Sequence, residues 1–274
     1  MVLFMKNRIS DYLLISDMDG TLLDDERNIS ERNLKAIRRF CESGGRFSIA
    51  TGRSVESVRP YVEKLGVNVP VVLCNGSMVY DFADEKILHQ DTMPASVEHS
   101  TYRIIDRFPE LGAEAYVGTG IYVLQNNSYI SRHKLIERIR FEYTIRENIP
   151  VGWNKVIMAA EMEQLGPVER YASSLNLPEA RLVKSAPEYL ELLPKYSSKG
   201  TGLRHLADIL GVDMKKTVAV GDYYNDAEMI EQAGLGVFVD NAPQELKDTA
   251  DMVVCHYRDG AVAAVIEHIE SLCQ

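Results

Sequence analysis

The chain has 274 residues, 46% of them apolar and 26% charged, with a net charge of −10. This is ordinary globular composition, long enough for one large domain or two moderate ones, and its acidity argues against a nucleic-acid or anionic-membrane partner. No run reaches the ~18 apolar residues of a membrane helix. The start, MVLFMKNRISDY, lacks a secretory h-region with a cleavage site, and Cys41, Cys74, Cys255 and Cys273 have no paired spacing, so a cytoplasmic protein with reduced thiols is expected.

Tyr12–Ser16 is short and apolar, as suits a strand buried on both faces. Ser30 is placed to cap a helix carrying Leu34, Ile37 and Cys41 at helical spacing, and Gly44–Gly45 ends it. Residues 46–50 (RFSIA) read as a second strand. Val55, Val58, Val62 and Leu65 mark a helix that Pro60 should kink or shorten. VVLC (71–74) reads as a third strand, and Asn75–Gly76 turns it into a hairpin with Ser77–Asp81. From residue 83 the texture changes. Strand candidates at 121–125, 155–160 and 180–184 alternate with helical stretches near 95–107, 131–140 and 167–175. Beyond residue 190 strands and helices alternate again: a helix over 198–210, a strand at 217–221, a helix over 225–233, strands at 235–239 and 252–255, and a helix over 260–272. The expected fold is a doubly wound (Rossmann-like) parallel-sheet α/β core from residues 1–82 plus 190–274, with an α+β domain inserted at 83–189.

The polar residues fall where strands end. Asp17 and Asp19 follow the first, Thr51-Gly52-Arg53 the second, and Gly221-Asp222 a later one. Turns favour such residues anyway, but in open parallel sheets ligands bind beyond the carboxyl ends of strands, where these three stretches would converge. Asp17 and Asp222 offer hard oxygens without a neighbouring His or Cys cluster, which favours Mg²⁺ over zinc. An EF-hand starting at Asp17 fails, because Leu22 and Asn28 stand where Gly and Glu are needed. There is no G-x-S-x-G elbow and no phosphate loop of the G-x-x-x-x-G-K-[ST] type, and the six histidines are dispersed, so they read as structural or surface.

The motifs resemble those of the haloacid dehalogenase (HAD) superfamily, Cof-type phosphatases in particular (subclass IIB, with an α/β C2 cap). DMDGTLLD (17–24), ATGRS (50–54), SKG (198–200) and GDYYNDAEM (221–229) are similar to its four motifs in order, and CNGS (74–77) resembles the hairpin ahead of the cap. The resemblance implies a Mg²⁺-dependent phosphatase acting on small phosphorylated metabolites such as sugar phosphates or phosphorylated cofactors. In it Asp17 is the nucleophile, forming an aspartyl phosphate, and Asp19 is the general acid and then base, which must therefore start protonated. Asp17, Asp222 and the carbonyl of Asp19 hold the metal. Thr51, Lys199, Asn225 and the backbone N–H groups of Met18 and Gly52 bind the phosphoryl group. Gly20 and Thr21 hold the turn, with Thr21 orienting Asp19, and Asp226 orients Lys199 or the metal waters. Arg53 either reaches the substrate or anchors the cap. Asp24, Asp25 and Glu26 read as solvated loop charge. Tyr116, Tyr122 and Trp153 in the insertion could stack a substrate ring but are more often core. Two other classes fit the same motifs: a phosphomutase or phosphotransferase on a sugar phosphate, and a non-catalytic phosphate-ligand sensor, against which the full set Asp17, Asp19, Lys199 and Asp222 argues.

Overall fold

The computed structural model describes residues 7–273; residues 1–6, part of the stretch expected to lack a secretory segment, lie outside it. The first strand, β1 (Leu13–Ser16), is buried at all four positions, as expected of a strand covered on both faces. Helix α1 (Glu31–Glu42) starts at Ser30, whose hydroxyl accepts from the Asn33 N–H at 3.2 Å. It leads to β2 (Arg46–Ile49) and to α2 (Val55–Leu65). Pro60 neither ends nor divides α2: it sits on the exposed face, where water can serve the carbonyl left without a donor. After β3 (Val71–Leu73) the expected strand residue Cys74 instead joins Asn75 and Gly76 in a turn at positive φ, and β4 (Met78–Asp81) returns antiparallel with Leu73 opposite Met78.

Two unforeseen strands lie at the boundaries drawn at 83 and 189, and the later one, Tyr189–Pro194, runs across its boundary. One, β5 (Lys86–Gln90), pairs antiparallel with β4, although it lies past residue 82. The insert then contains α3 (Ala95–Arg107), β6 (Gly112–Val117), β7 (Gly120–Gln125), α4 (Ser128–Glu137), β8 (Lys155–Ala159), α5 (Met162–Ser174), β9 (Ala180–Ala186) and β10 (Tyr189–Pro194). Its five strands form one antiparallel sheet in the order β7-β6-β8-β10-β9. Side chains alternate across this sheet. Ala113, Ala115, Val156, Met158, Leu190 and Leu192 pack under Val97, Ile104 and Ile105 of α3 and Leu165 and Val168 of α5. Glu114, Tyr116, Lys155, Ile157 and Glu191 therefore take the other face.

The chain returns through α6 (Lys199–Leu210), β11 (Thr217–Gly221), α7 (Ala227–Gln232), β12 (Leu235–Val239), α8 (Gln244–Lys247), β13 (Met252–Val254) and α9 (Ala261–Leu272). The helix expected from Asn225 begins two residues later, after a 3₁₀ turn at Tyr224–Asp226. The main sheet is parallel, ordered β13-β12-β11-β1-β2, and β3 adjoins β2 through a bridge between Ala50 and Val72. Chain order thus reverses at β1. Segments that follow β1 in the first half lie to one side, and those of the second half lie to the other. The rings of His89 and His205, on β5 and α6, stack at 3.7 Å. Among the described residues no helix is long and apolar enough to cross a membrane.

Candidate active site

A doubly wound sheet leaves a crevice at the carboxyl end where its strand order reverses, here between β1 and β11. Asp17 leaves β1 at that point, its N–H donating to the Val220 carbonyl at 2.8 Å. Asp222 follows β11, and Lys199 is the first residue of α6, whose start is fixed by the Ser198 hydroxyl accepting from the Thr201 N–H at 3.1 Å. Lys199 is 1% exposed, and its Nζ lies 2.5 Å from Asp17 Oδ1 and 2.7 Å from Asp226 Oδ1. The other Asp226 oxygen accepts the backbone N–H groups of Asp222 (3.0 Å) and Tyr223 (3.1 Å), so Asp226 ties the Lys199 ammonium to the turn that carries Asp222.

Charge is unbalanced here. Burial disfavours the Lys199 ammonium, but Asp17 and Asp226 outweigh it and raise its pKa. One ammonium cannot neutralise three carboxylates. Burial, with Asp226, Asp222 and Asp19 adding to it, pushes Asp17 well above the carboxylate range against the pull of Lys199. Burial, followed by Asp226, pushes Asp222 up to about 6. Oxygens of Asp17, Asp222 and Asp226 lie within 4.8 Å of one another. A buried surplus of hard negative oxygen is the environment a divalent cation of the Mg²⁺ type fits.

Gly20, at φ +82°, turns the chain between the two aspartate loops. A Cβ there would stand 2.4 Å from Asp222 Oδ2, so only glycine admits both the conformation and the approach. Thr21 differs from its expected part: its hydroxyl donates to Asp222 Oδ1 at 3.0 Å, not to Asp19. The turn aims Asp19 the other way, toward Arg53. Arg53 Nε and its terminal nitrogen grip the two Asp19 oxygens at 2.8 and 2.5 Å. Arg53 also lies 3.4 Å from Glu137 Oε2 of α4, so it links the Asp19 loop to the insert. The acidic residues that follow are less free than expected. Asp24 closes its loop by accepting the N–H groups of Glu26 and Asn28 at 2.9 and 2.8 Å, and Asp25 pairs with Arg258 and the Tyr257 hydroxyl.

The cleft encloses about 270 Å³ between the core loops and the polar face of the insert's sheet. Thr51, Gly52 and Asn225 line it. Thr51 is held by its N–H donating to the Val72 carbonyl at 3.0 Å. The Met18 side chain is buried, and its carbonyl accepts from Leu22 and Leu23 at 2.9 and 2.8 Å. From the insert, Lys155 Nζ donates to the Gly52 carbonyl at 2.9 Å and pairs with Glu191 Oε1 at 3.0 Å, while Asn75 Nδ2 donates to Glu191 Oε2 at 3.1 Å. The insert is therefore seated on the loops that form the site.

Asn75 belongs to the CNGS motif, read only as a turn; Glu137, Lys155 and Glu191 were not singled out by the motifs. Glu191 did leave a signal, as one acid inside the apolar run Tyr189–Leu193, where alternation points it away from the helices. Lys155, at the head of an apolar run, leaves none. Trp153 packs in the insert's core with its indole N–H on the Pro150 carbonyl at 2.8 Å, Tyr122 packs against the same core, and Tyr116 lines the cleft.

A family model for haloacid dehalogenase-like hydrolases matches residues 14–266. The chain is 27% identical over 270 residues to the 5-amino-6-(5-phospho-D-ribitylamino)uracil phosphatase YitU of Bacillus subtilis (strain 168), spanning 95% of this chain and 98% of that one. A haloacid dehalogenase-like hydrolase from Bacteroides thetaiotaomicron, solved by crystallography, shares the structure at TM-score 0.86 and 26% identity over 94% of this chain and 99% of its own. The subclass IIB sugar phosphatase BT4131 shares the fold at TM-score 0.79 and 18% identity, over 94% and 99% of the two chains.

Proposed function

Because the chain belongs to the haloacid dehalogenase-like hydrolases, within their Cof-type branch, we propose that it hydrolyses small phosphomonoesters through an aspartyl phosphate on Asp17. The observation that carries this reading is the buried contact of Asp17 with Lys199 in the lining of a cleft roofed by the insert. A carboxylate and a fixed cation, meeting where water is largely excluded, are what transfer of an anionic phosphoryl group to an oxygen nucleophile requires.

Asp17 and Asp222, with the Asp19 carbonyl, would hold Mg²⁺; Asp226 is already committed to Lys199 and two backbone donors. When bound, Mg²⁺ supplies the positive charge that offsets repulsion between the nucleophile and the phosphate. The residues then divide the work. Lys199 and the Thr51 hydroxyl, with backbone N–H groups of Met18 and Gly52 and the Asn225 amide, bind the phosphoryl oxygens and orient phosphorus toward Asp17. Asp17 attacks, the bond from phosphorus to the leaving oxygen breaks, and Asp19 delivers its proton to that oxygen, so an alcohol departs. Asp19 then takes a proton from water, which attacks phosphorus, frees Asp17 and yields phosphate. The polar sheet face over the cleft would meet the leaving group, which supports selection among sugar phosphates or phosphorylated cofactors by the insert, acting as a cap.

With 4-nitrophenyl phosphate, turnover should depend on added Mg²⁺, vanish in chelator and return on re-addition. Asp17→Asn should abolish it with the fold intact. An Asp17→Asn protein keeping more than a few per cent of wild-type kcat would refute the covalent route.

A further inference from the structure

Three side chains that the sequence scatters meet away from the cleft. His89 lies on β5 and Asp91 just beyond it, where the chain leaves the core for the insert, and His205 lies on α6, after its return. His89 Nε2 is 3.1 Å from Asp91 Oδ1, and the His205 ring stacks on His89 with centroids 3.7 Å apart. One ligand atom from each of the three lies within 4.8 Å of the other two. Asp91 is anchored from behind. Its N–H donates to the Ser77 carbonyl at 2.8 Å and its Oδ2 accepts the Ser197 hydroxyl at 3.0 Å, which leaves Oδ1 to His89. Among the described residues no hydrogen bond claims either ring nitrogen of His205. Burial, followed by the neighbouring His89, holds its pKa below the ordinary value, so at neutral pH it is an uncharged imidazole with a lone pair to offer.

Two imidazoles and a carboxylate are a donor set for a borderline cation, unlike the all-oxygen set of Asp17 and Asp222. The 3.1 Å between His89 Nε2 and Asp91 Oδ1 is close to the ~3.4 Å edge of a tetrahedron with metal–ligand bonds of ~2.1 Å. We propose that His89, Asp91 and His205 form a second metal site, which takes a divalent cation of the Zn²⁺ class with water as its fourth ligand. Ser197 then orients Asp91 toward the ion. A ring nitrogen's lone pair lies in the ring plane, and the two rings are 21° from parallel, so sharing one ion tilts them apart and ends the stack. Exposure permits this: the His89 and Asp91 side chains are 28% and 33% exposed, which also gives the ion a way in. Once bound, the ion fastens β5 to α6 and, through Asp91, ties the chain entering the insert to the core. The site stands apart from the phosphatase reading and is tested by binding, not turnover.

The probe is Zn²⁺ alone, titrated calorimetrically into the whole protein in excess Mg²⁺, which competes for the all-oxygen site. Wild type should take up one Zn²⁺ and unfold at a higher temperature with it, because an ion bound only by the folded state stabilises that state. His205→Phe keeps a ring for the stack but offers no nitrogen, and should weaken Zn²⁺ binding about tenfold or more. Asp91→Asn should do the same, and it decides the matter if His205→Phe fails to fold. Asp17→Asn, in the cleft, should leave Zn²⁺ affinity as in wild type. Wild type that binds no Zn²⁺ under these conditions would overturn the assignment. So would wild-type affinity in His205→Phe or Asp91→Asn, or loss of binding in Asp17→Asn, which would place the ion in the cleft.

Discussion

Replacing Lys199 by methionine tests whether the site is a charge clamp as well as a catalytic apparatus. The ammonium is 1% exposed and contacts two carboxylates, at 2.5 and 2.7 Å, whose side chains are 7% and 1% exposed. Methionine keeps most of the volume but leaves Asp17, Asp222 and Asp226 without a cation in metal-free protein. Removing one partner of a buried pair costs about 3–5 kcal/mol. At ~2–4 °C per kcal/mol for a chain of this size, the melting temperature should fall by roughly 6–20 °C. The assay is thermal and urea unfolding in chelator at neutral pH, repeated with Asp226→Asn and the double variant. The double variant should lose less than the sum of the singles by about 0.5–3 kcal/mol, because the neutral amide no longer needs the ammonium. If Lys199→Met unfolds within about 1 kcal/mol of wild type, the surplus of buried negative charge argued from the geometry is not present in solution.

Gly76→Ala sets a Cβ 1.8 Å from the Ser198 carbonyl at φ +95°, so it should cost well over the ~1–2 kcal/mol of the left-handed conformation alone, whereas Gly66→Ala, at φ +68° in open space, should cost only that; chemical denaturation compares the two. Asp19→Ala should reduce kcat/KM for glycerol 2-phosphate by about 10²–10⁴, and a loss under tenfold would exclude it as the proton donor. Burial pushes the Cys74 thiol up to about 12 and the Cys41 thiol up to about 11. Since only the thiolate is alkylated, both should stay unmodified by iodoacetamide at pH 8 in folded protein and react once it is unfolded, as intact mass would show. The sign for stability is the same. The folded state holds these protons more tightly, so its stability is full below pH ~9 and declines above it.

Much of the core was legible because its signals are local. A strand buried on both faces must be an apolar run, a helix start needs an oxygen such as that of Ser30, and the residues next to the crevice stand within a few positions of strand ends. The elements that escaped were those whose signal is diluted or shared. Strand β5 is half-exposed and mixes polar with apolar residues, and β6 and β10 mix acids and tyrosine into an apolar run because one face packs on helices and the other faces the cleft. Cys74 looked like strand because its side chain is apolar, but the backbone there turns to bring Gly76 against Ser198.

Sequence by itself determined which residues stand at the carboxyl ends of the strands, because a parallel strand and the loop after it are written consecutively in the chain. Only the tertiary structure decided whom those residues meet. Thr21 bonds Asp222 across 201 positions of sequence, and Arg53 is shared between Asp19 and Glu137, 34 and 84 positions away. No spacing rule encodes such pairings. They are set by the reversal of strand order at β1 and by the docking of the insert, which bring together residues that no local pattern links.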